Sequence, residues 1–344
     1  MQILTLLPGL KTLRYAVFSG RPTRPQKSGI IGDYRGALPC RMALDKIPAT
    51  PDVIGVRVRF GGTEFRGSVV ADGDVLQRLE TLTPAAPLHL PAVIELVNQC
   101  ATRFPGVPQV LTFDTAFFAD LPARERLYAL DDKLIRAHGL QRFGYCGLMH
   151  AAAWQRAAQK GASRVISLCL EPRPELTAIQ NGRPLYVTSG ATPVEGLPGQ
   201  TTCGDLDPGL VVLLAEELGW GAERLNTFLT RESGLKGLTG RAMTFDELFA
   251  GRNRAYALAR DVIRYRLLLA CGMSLAAMGG VDAMVISGRH VAAGQALARW
   301  LKRQAVFQRL KKPVAVFRLR ATVEQLVAEQ ALLFGGERLR EAAA

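Results

Sequence analysis

Residues Arg164–Ile179, R-V-I-S-L-C-L-E-P-R-P-E-L-T-A-I, read as two short apolar runs, Arg164–Leu170 and Glu175–Ile179, folded back on each other through Glu171–Pro174. Asn181-Gly182 then supplies a second hairpin turn, leading to Leu185–Val187. The same strand–turn–strand pattern opens the chain, where Ile3–Leu7 and Leu13–Ser19 flank Pro8–Thr12. Each copy runs on into strand and helix periodicity. Two half-chains that begin alike predict a duplicated α/β architecture.

Working outward, helical spacing is clear in Ala92–Phe104, His150–Lys160, Gly209–Leu218, Asn253–Met278 and Gly294–Arg303. Val53–Phe60 alternates, with Ile54, Val56, Val58 and Phe60 on one face and Gly55, Arg57 and Arg59 on the other. That pattern predicts a half-buried strand with both arginines on one side. Val323–Leu333 predicts a last helix, broken by Gly335-Gly336 ahead of a charged tail.

The 344 residues suffice for two domains with cores of their own, and a composition of 48% hydrophobic and 21% charged residues is globular. The longest apolar run, Leu267–Met278, is too short to span a bilayer, so no membrane association is expected. Met1–Leu7 has no leading basic region and reads as a first strand, not a signal peptide, so a cytoplasmic protein is expected. Net charge is +13 and uneven: residues 1–67 carry eleven Lys/Arg against four acids, and residues 289–320 carry nine Lys/Arg and no acid. Such patches favour anions such as nucleotides, acyl phosphates, nucleic acid or an acidic protein. No aromatic pattern interleaves the charges, so nucleic acid is not an expected partner. The six cysteines form no C-x-x-C pair, which argues against a zinc ribbon or a secreted disulfide scaffold.

Two loops concentrate the chemistry. Thr192–Pro208, T-P-V-E-G-L-P-G-Q-T-T-C-G-D-L-D-P, holds three acids, three glycines and three prolines ahead of a helix. Such a loop can set carboxylates and amides around a polar ligand, or be an ordinary surface loop. Phe113–Leu130, F-D-T-A-F-F-A-D-L-P-A-R-E-R-L-Y-A-L, places Asp114 at the end of the apolar strand Gln109–Phe113, before a turn and a helix.

Together these loops resemble the "FDTAFH" strand end and the "TPLEGL…GDIDP" loop of the acetate kinase family, within the actin and sugar-kinase superfamily. Further matches keep the same order: Val56–Gly62 resembles "HRVVHGG", Pro87-Leu88-His89 "PLHNP", Arg142–His150 "RYGFHGTSH" and Gly279–Val285 "GGVDAIV". The resemblance runs from Met1 to about Leu333. It implies a duplicated actin-like ATPase fold of two ribonuclease-H-like lobes with a central cleft. The lobes would be residues 1–118 plus 326–344, and 119–325. It also implies ATP and Mg²⁺ as cofactors, a small carboxylate or acyl phosphate as substrate, and a homodimer formed through the second lobe.

Residue by residue, the resemblance gives Arg57 a substrate-contacting role, His89 a catalytic one, and Asp114 both catalysis and metal binding. Glu324 lies where "TNEEL" carries a metal ligand, although a first-turn helix acid explains it equally. The opening phosphate loop, "NAGSSSLK", reads Leu7–Arg14 here and leaves Lys11, Thr12 and Arg14 as candidate phosphate contacts. The second phosphate loop, "HLGNG", reads Cys169–Arg173. Pro172 and Pro174 offer no N–H, Glu171 and Glu175 repel anions, and Arg173 is the remaining donor. The arginine of "GTRSGDIDP" falls on Thr202, while Asp205 remains. The histidine of "YGFHG" falls on Cys146, and "GGIGEN" on Gly288–Ala293 with Gly288 kept.

Losing one electrostatic stabiliser of this kind costs about 2.7–4 kcal/mol of transition-state stabilisation. The expectation is therefore an acetate kinase homologue, weak or silent as a catalyst and kept for ligand or protein binding. The alternative is a divergent ATP-dependent phosphotransferase acting on a short-chain carboxylate. Cys146, Cys169 and Cys203 fall in motifs that border the family's site. They read as small apolar fillers, or as a thiolate metal site completed by His150 or His89.

Overall fold

A computed structural model describes residues 1–251 and 253–342, with side chains through Gly336. Two compact units are present: Met1–Ala119 with the segment from Ala321 onward, and Asp120–Arg320. Each is built on one mixed sheet that opens with an antiparallel strand pair.

In the first unit the sheet order is β3-β2-β1-β4-β6-β5. Its strands are β1 (Gln2–Pro8), β2 (Thr12–Ser19), β3 (Lys27–Gly32), β4 (Val53–Val58), β5 (Val69–Val70) and β6 (Gln109–Phe113). β1 pairs antiparallel with β2 and parallel with β4, and β4 runs parallel to β6. In the second unit β7 (Arg164–Cys169), β8 (Glu175–Gln180), β9 (Arg183–Val187), β10 (Ala283–Ser287) and β11 (Ala315–Arg318) form a sheet of order β11-β10-β7-β8-β9. The hairpins read from the sequence are therefore present, β1–β2 in the first unit and β7–β8 and β8–β9 in the second. The Asn181-Gly182 turn takes positive φ at both residues, the geometry a tight hairpin requires.

Two sequence expectations fail for one reason, the helix Val323–Ala342. β4 is buried along its whole length rather than on one face. The helix covers the Gly55 face so closely that a Cβ on Gly55 would lie 2.8 Å from Val327 Cγ1. The helix also continues through Gly335-Gly336 instead of ending there. A Cβ on Gly335 would lie 2.4 Å from Val53 Cγ2, so this glycine allows close approach to the sheet.

The second unit's core gathers Ile166, Leu168, Leu176, Met284 and Ile286 from the sheet with Phe245, Leu267, Leu297 and Leu301 from helices. The helix Gly147–Ala158 packs on β7 and β10. No helix among the described residues is long and apolar enough to cross a membrane.

Candidate functional site

In the first unit, neighbouring strands bring Arg57 and Asp114 together. Arg57 is the penultimate residue of β4, and Asp114 follows β6 as the first residue of a 3₁₀ turn, Asp114–Phe118. Arg57 Nε and Nη2 donate to Asp114 Oδ2 at 2.8 and 2.7 Å. Asp114 is wholly buried and Arg57 is 7% exposed. Thr115 anchors the turn by accepting the Gly61 N–H at 2.9 Å. A charge pair this deep persists because losing either partner strands the other in a low-dielectric interior.

Glu324 lies in the first turn of Val323–Ala342 and pairs with Arg14 at 3.0 Å. The backbone there is capped separately, by reciprocal bonds between Thr322 and Gln325. The β1–β2 turn presents Lys11 and Thr12 as exposed side chains. Its backbone is already committed: Gly9 N–H donates to Thr12 O at 2.8 Å, and Asp33 N–H to Lys11 O at 3.0 Å. His89 precedes the helix Leu90–Arg103 at its N-cap position.

In the second unit the Glu171–Pro174 turn, the Thr192–Pro208 loop and the head of the helix Val291–Leu301 interlock. Glu171 accepts the Arg289 backbone N–H at 3.0 Å and its Nε at 2.8 Å. Asp246 accepts the Ala293 N–H at 2.9 Å and His290 Nδ1 at 2.9 Å. A carboxylate only accepts, so Nδ1 carries the proton and Nε2 accepts from the Gln200 amide at 2.7 Å. Gln200 N–H in turn donates to Pro172 O. Gly288 adopts φ +87° where the chain leaves β10. Arg173 is half-buried, and burial followed by the like charge of Arg231 pulls its pKa down.

Asp205 proves to be a loop clasp. Its Oδ1 accepts the Gly196 N–H at 2.8 Å, and its own N–H donates to Gly196 O. Burial pushes its carboxyl up. Glu195 takes Tyr128 Oη and Arg142, each at 2.5 Å, and Asp207 caps the helix Pro208–Leu218 through the Gly209 N–H. Asp205 thus fastens the loop to itself, Glu195 ties it to Tyr128 and Arg142, and Asp207 starts the next helix.

A buried polar cluster lies below. Glu175 accepts from Tyr145 N–H, Cys146 N–H, Ser189 Oγ and His150 Nε2 at 2.8, 2.9, 2.5 and 3.1 Å. His150 Nδ1 lies within hydrogen-bond reach of Ser167 Oγ at 2.7 Å. Burial alone would raise the Glu175 carboxyl. The bond and charge from His150, with the Ser189 and Tyr145 bonds, more than reverse that and leave it below the usual carboxylate range. Glu175 reads in the sequence as a charge that repels anions, but it is the hub of the unit's interior.

The thiols do not form a metal centre, since no group of three His, Cys, Asp or Glu among the described residues could hold an ion. Cys169 is wholly buried in β7, and Cys203 gives its S–H to Gly204 O at 3.2 Å. Sequence reasoning missed Asp246, Gln200 and His290. The only local signal is the capping box Thr244–Glu247, which marks a helix start without revealing what Asp246 reaches.

Against known proteins, the family model described as Acetokinase family matches residues 40–299. The acetate kinase of Shewanella loihica is 35% identical over 250 residues, covering 70% of this chain and 63% of that protein. The acetate kinase of Shewanella oneidensis is 34% identical over 251 residues, with 71% and 63% covered. The chain thus spans under two thirds of the length of these relatives. Among solved structures, Porphyromonas gingivalis acetate kinase aligns with a TM-score of 0.87 at 24% identity, covering 96% of this chain and 99% of that one. A propionate kinase from Francisella tularensis aligns at 0.81 and 23%, covering 97% and 99%. These structural matches show a shared actin-like ATPase fold.

Proposed function

The chain belongs to the acetokinase family, and on that premise we propose that it is a homologue with little or no acetate kinase turnover, kept for binding a small carboxylate, an acyl phosphate or a protein partner. The observation that carries this reading is Glu171. Its carboxylate holds the backbone N–H and guanidinium of Arg289 at the head of the helix Val291–Leu301. Open amides at a helix start attract phosphate, and here a carboxylate of the same chain already occupies one. Asp246 does the same at Ala293.

Phosphoryl transfer depends on amide donors, cations and an acid-held Mg²⁺ around the moving group. Asp114 and Glu324, the two acids expected to serve the metal, are each paired with an arginine. A Mg²⁺ ion bound there would have to compete with those guanidiniums for the carboxylates. The second reading, a divergent phosphotransferase on a short-chain carboxylate, is favoured by the Arg57–Asp114 pair, which keeps two of the expected catalytic side chains within one motif-matched neighbourhood.

Calorimetric titration with Mg-ATP and Mg-ADP, with acetyl phosphate in parallel, separates the two. We expect no nucleotide heat up to about 1 mM. Saturable nucleotide binding in the micromolar range would overturn the silent reading in favour of the phosphotransferase.

We also propose a homodimer formed through the second unit. Pro208–Leu218 buries none of its residues and exposes Leu210, Val212, Leu213 and Leu218, each at 44–56%. Leu258, Tyr265, Leu269 and Met273 expose a second apolar stripe along Ala257–Met278. Apolar helix faces this large are ordinarily covered. Sedimentation at about 10 µM is expected to give a dimer, and a clean monomer would remove the idea. Six cysteines with no C-x-x-C pair suit a reducing cytoplasm.

A further inference from the structure

We propose that the open edge of β11 accepts an extended acidic segment of a partner protein as an added strand of the second sheet. β11 pairs with β10 on one side, and no strand pairs with its other side among the described residues. Ala315 and Leu319 send their N–H groups inward, to Asp282 O at 3.1 Å and Ile286 O at 2.9 Å. Strand alternation turns the N–H and C=O groups of Val316 and Arg318 outward, towards the missing neighbour. No hydrogen bond reaches them among the described residues. Such a row is a template for another strand.

The side chains around this edge select the sign of the occupant. Eight cations lie between positions 299 and 320: Arg299, Lys302, Arg303, Arg309, Lys311, Lys312, Arg318 and Arg320. All eight are exposed, the segment contains no acid, and none of them makes an ion pair among the described residues. Val314 belongs to the core with Leu297, Leu301 and Phe307, and strand alternation puts Val316 and Arg318 on the same face of β11 as Val314. On the opposite face Arg156 stands over the Phe317 ring at 5.9 Å.

Charge on an edge strand is a common guard against pairing with copies of itself. The same charge rejects a second β11 and complements an acidic strand, so the two roles agree. Val316, 37% exposed, offers such a strand an apolar side chain to pack on. The cations alone would also suit a nucleic acid backbone. The unpaired strand edge favours a polypeptide, because only a polypeptide can use the outward amides as a ladder.

The test uses the full chain and a fluorescein-labelled peptide of about ten residues alternating Val or Thr with Glu. Anisotropy should show saturable binding at about 50 mM salt that weakens roughly tenfold by about 300 mM. N-methylation of alternate peptide amides should cost at least about tenfold more, because it removes ladder bonds without changing charge. The exposed triple variant Lys311→Glu/Lys312→Glu/Arg318→Glu should bind roughly tenfold or more weakly. Val316→Pro, which removes one outward N–H from an edge strand, should also weaken binding, with circular dichroism unchanged. No saturable peptide binding, equal binding of the N-methylated peptide, or tighter binding of a random-sequence DNA duplex would each overturn the proposal.

Discussion

Glu175→Leu is expected to destabilise the Asp120–Arg320 unit by about 3–5 kcal/mol, the usual scale for removing one member of a buried charged network. The variant strands two backbone N–H groups, Ser189 Oγ and His150 Nε2 without their common acceptor. Each buried donor left unpaired adds about 1–3 kcal/mol before relaxation. The wild-type contribution carries a pH signature. The folded carboxyl lies below its ordinary value, so its stabilisation is fully present above the unfolded pKa. It is lost as pH falls through the folded pKa, in the window below about pH 4. Urea unfolding at pH 7 and under acid reads both effects. A loss under about 1 kcal/mol at pH 7 would mean that the cluster is not what organises this interior.

Gly288→Ala should cost roughly 3 kcal/mol or more, through backbone strain combined with a steric clash. Gly288 has φ +87°, and an added Cβ would lie 2.7 Å from both the carbonyl carbon and oxygen of Leu170. Neither neighbour is the free end of a side chain. Leu170 N–H donates to Ser287 O and Leu170 O accepts from His290 N–H, so any shift disturbs the junction of β7, β10 and the helix after it. Gly272, within Ala257–Met278, makes the control. Nothing lies within 4 Å of a Cβ there, so Gly272→Ala should be neutral or gain up to about 1 kcal/mol. Equal unfolding midpoints for the two variants would refute the structural role given to Gly288. That role suffices to account for the glycine, whatever the loop binds.

The hairpins were legible because a turn and its two apolar runs lie within seventeen consecutive residues, and alternation reports directly on a strand. β4 was misread because the residues that bury its second face come from Val327 and Ala331. A one-dimensional pattern cannot register a cover so distant in sequence. The Gly335-Gly336 pair looked like a stop because glycine weakens helices, while its close approach to Val53 is visible only in three dimensions. At the candidate site, Asp114 and Arg57 could be named from motif positions. Their mutual pairing depends on β4 lying beside β6. Asp246 was invisible because its partners, His290 and Ala293, lie more than forty positions away. Asp205 could be named as an acid in a loop, but its bonds to Gly196 could not be read from the sequence. An acid that fastens its own loop and one that holds a nucleotide are alike in sequence.

The Val323–Ala342 helix also has a consequence for synthesis. Strand β4 finds the cover of its Gly55 face only after the segment beyond Val323 has left the ribosome. The middle unit is contiguous and can close as soon as it emerges. A chain that starts folding at its beginning therefore completes its middle first. Through that interval the first sheet carries a bare apolar face, the kind of transiently exposed surface that invites aggregation.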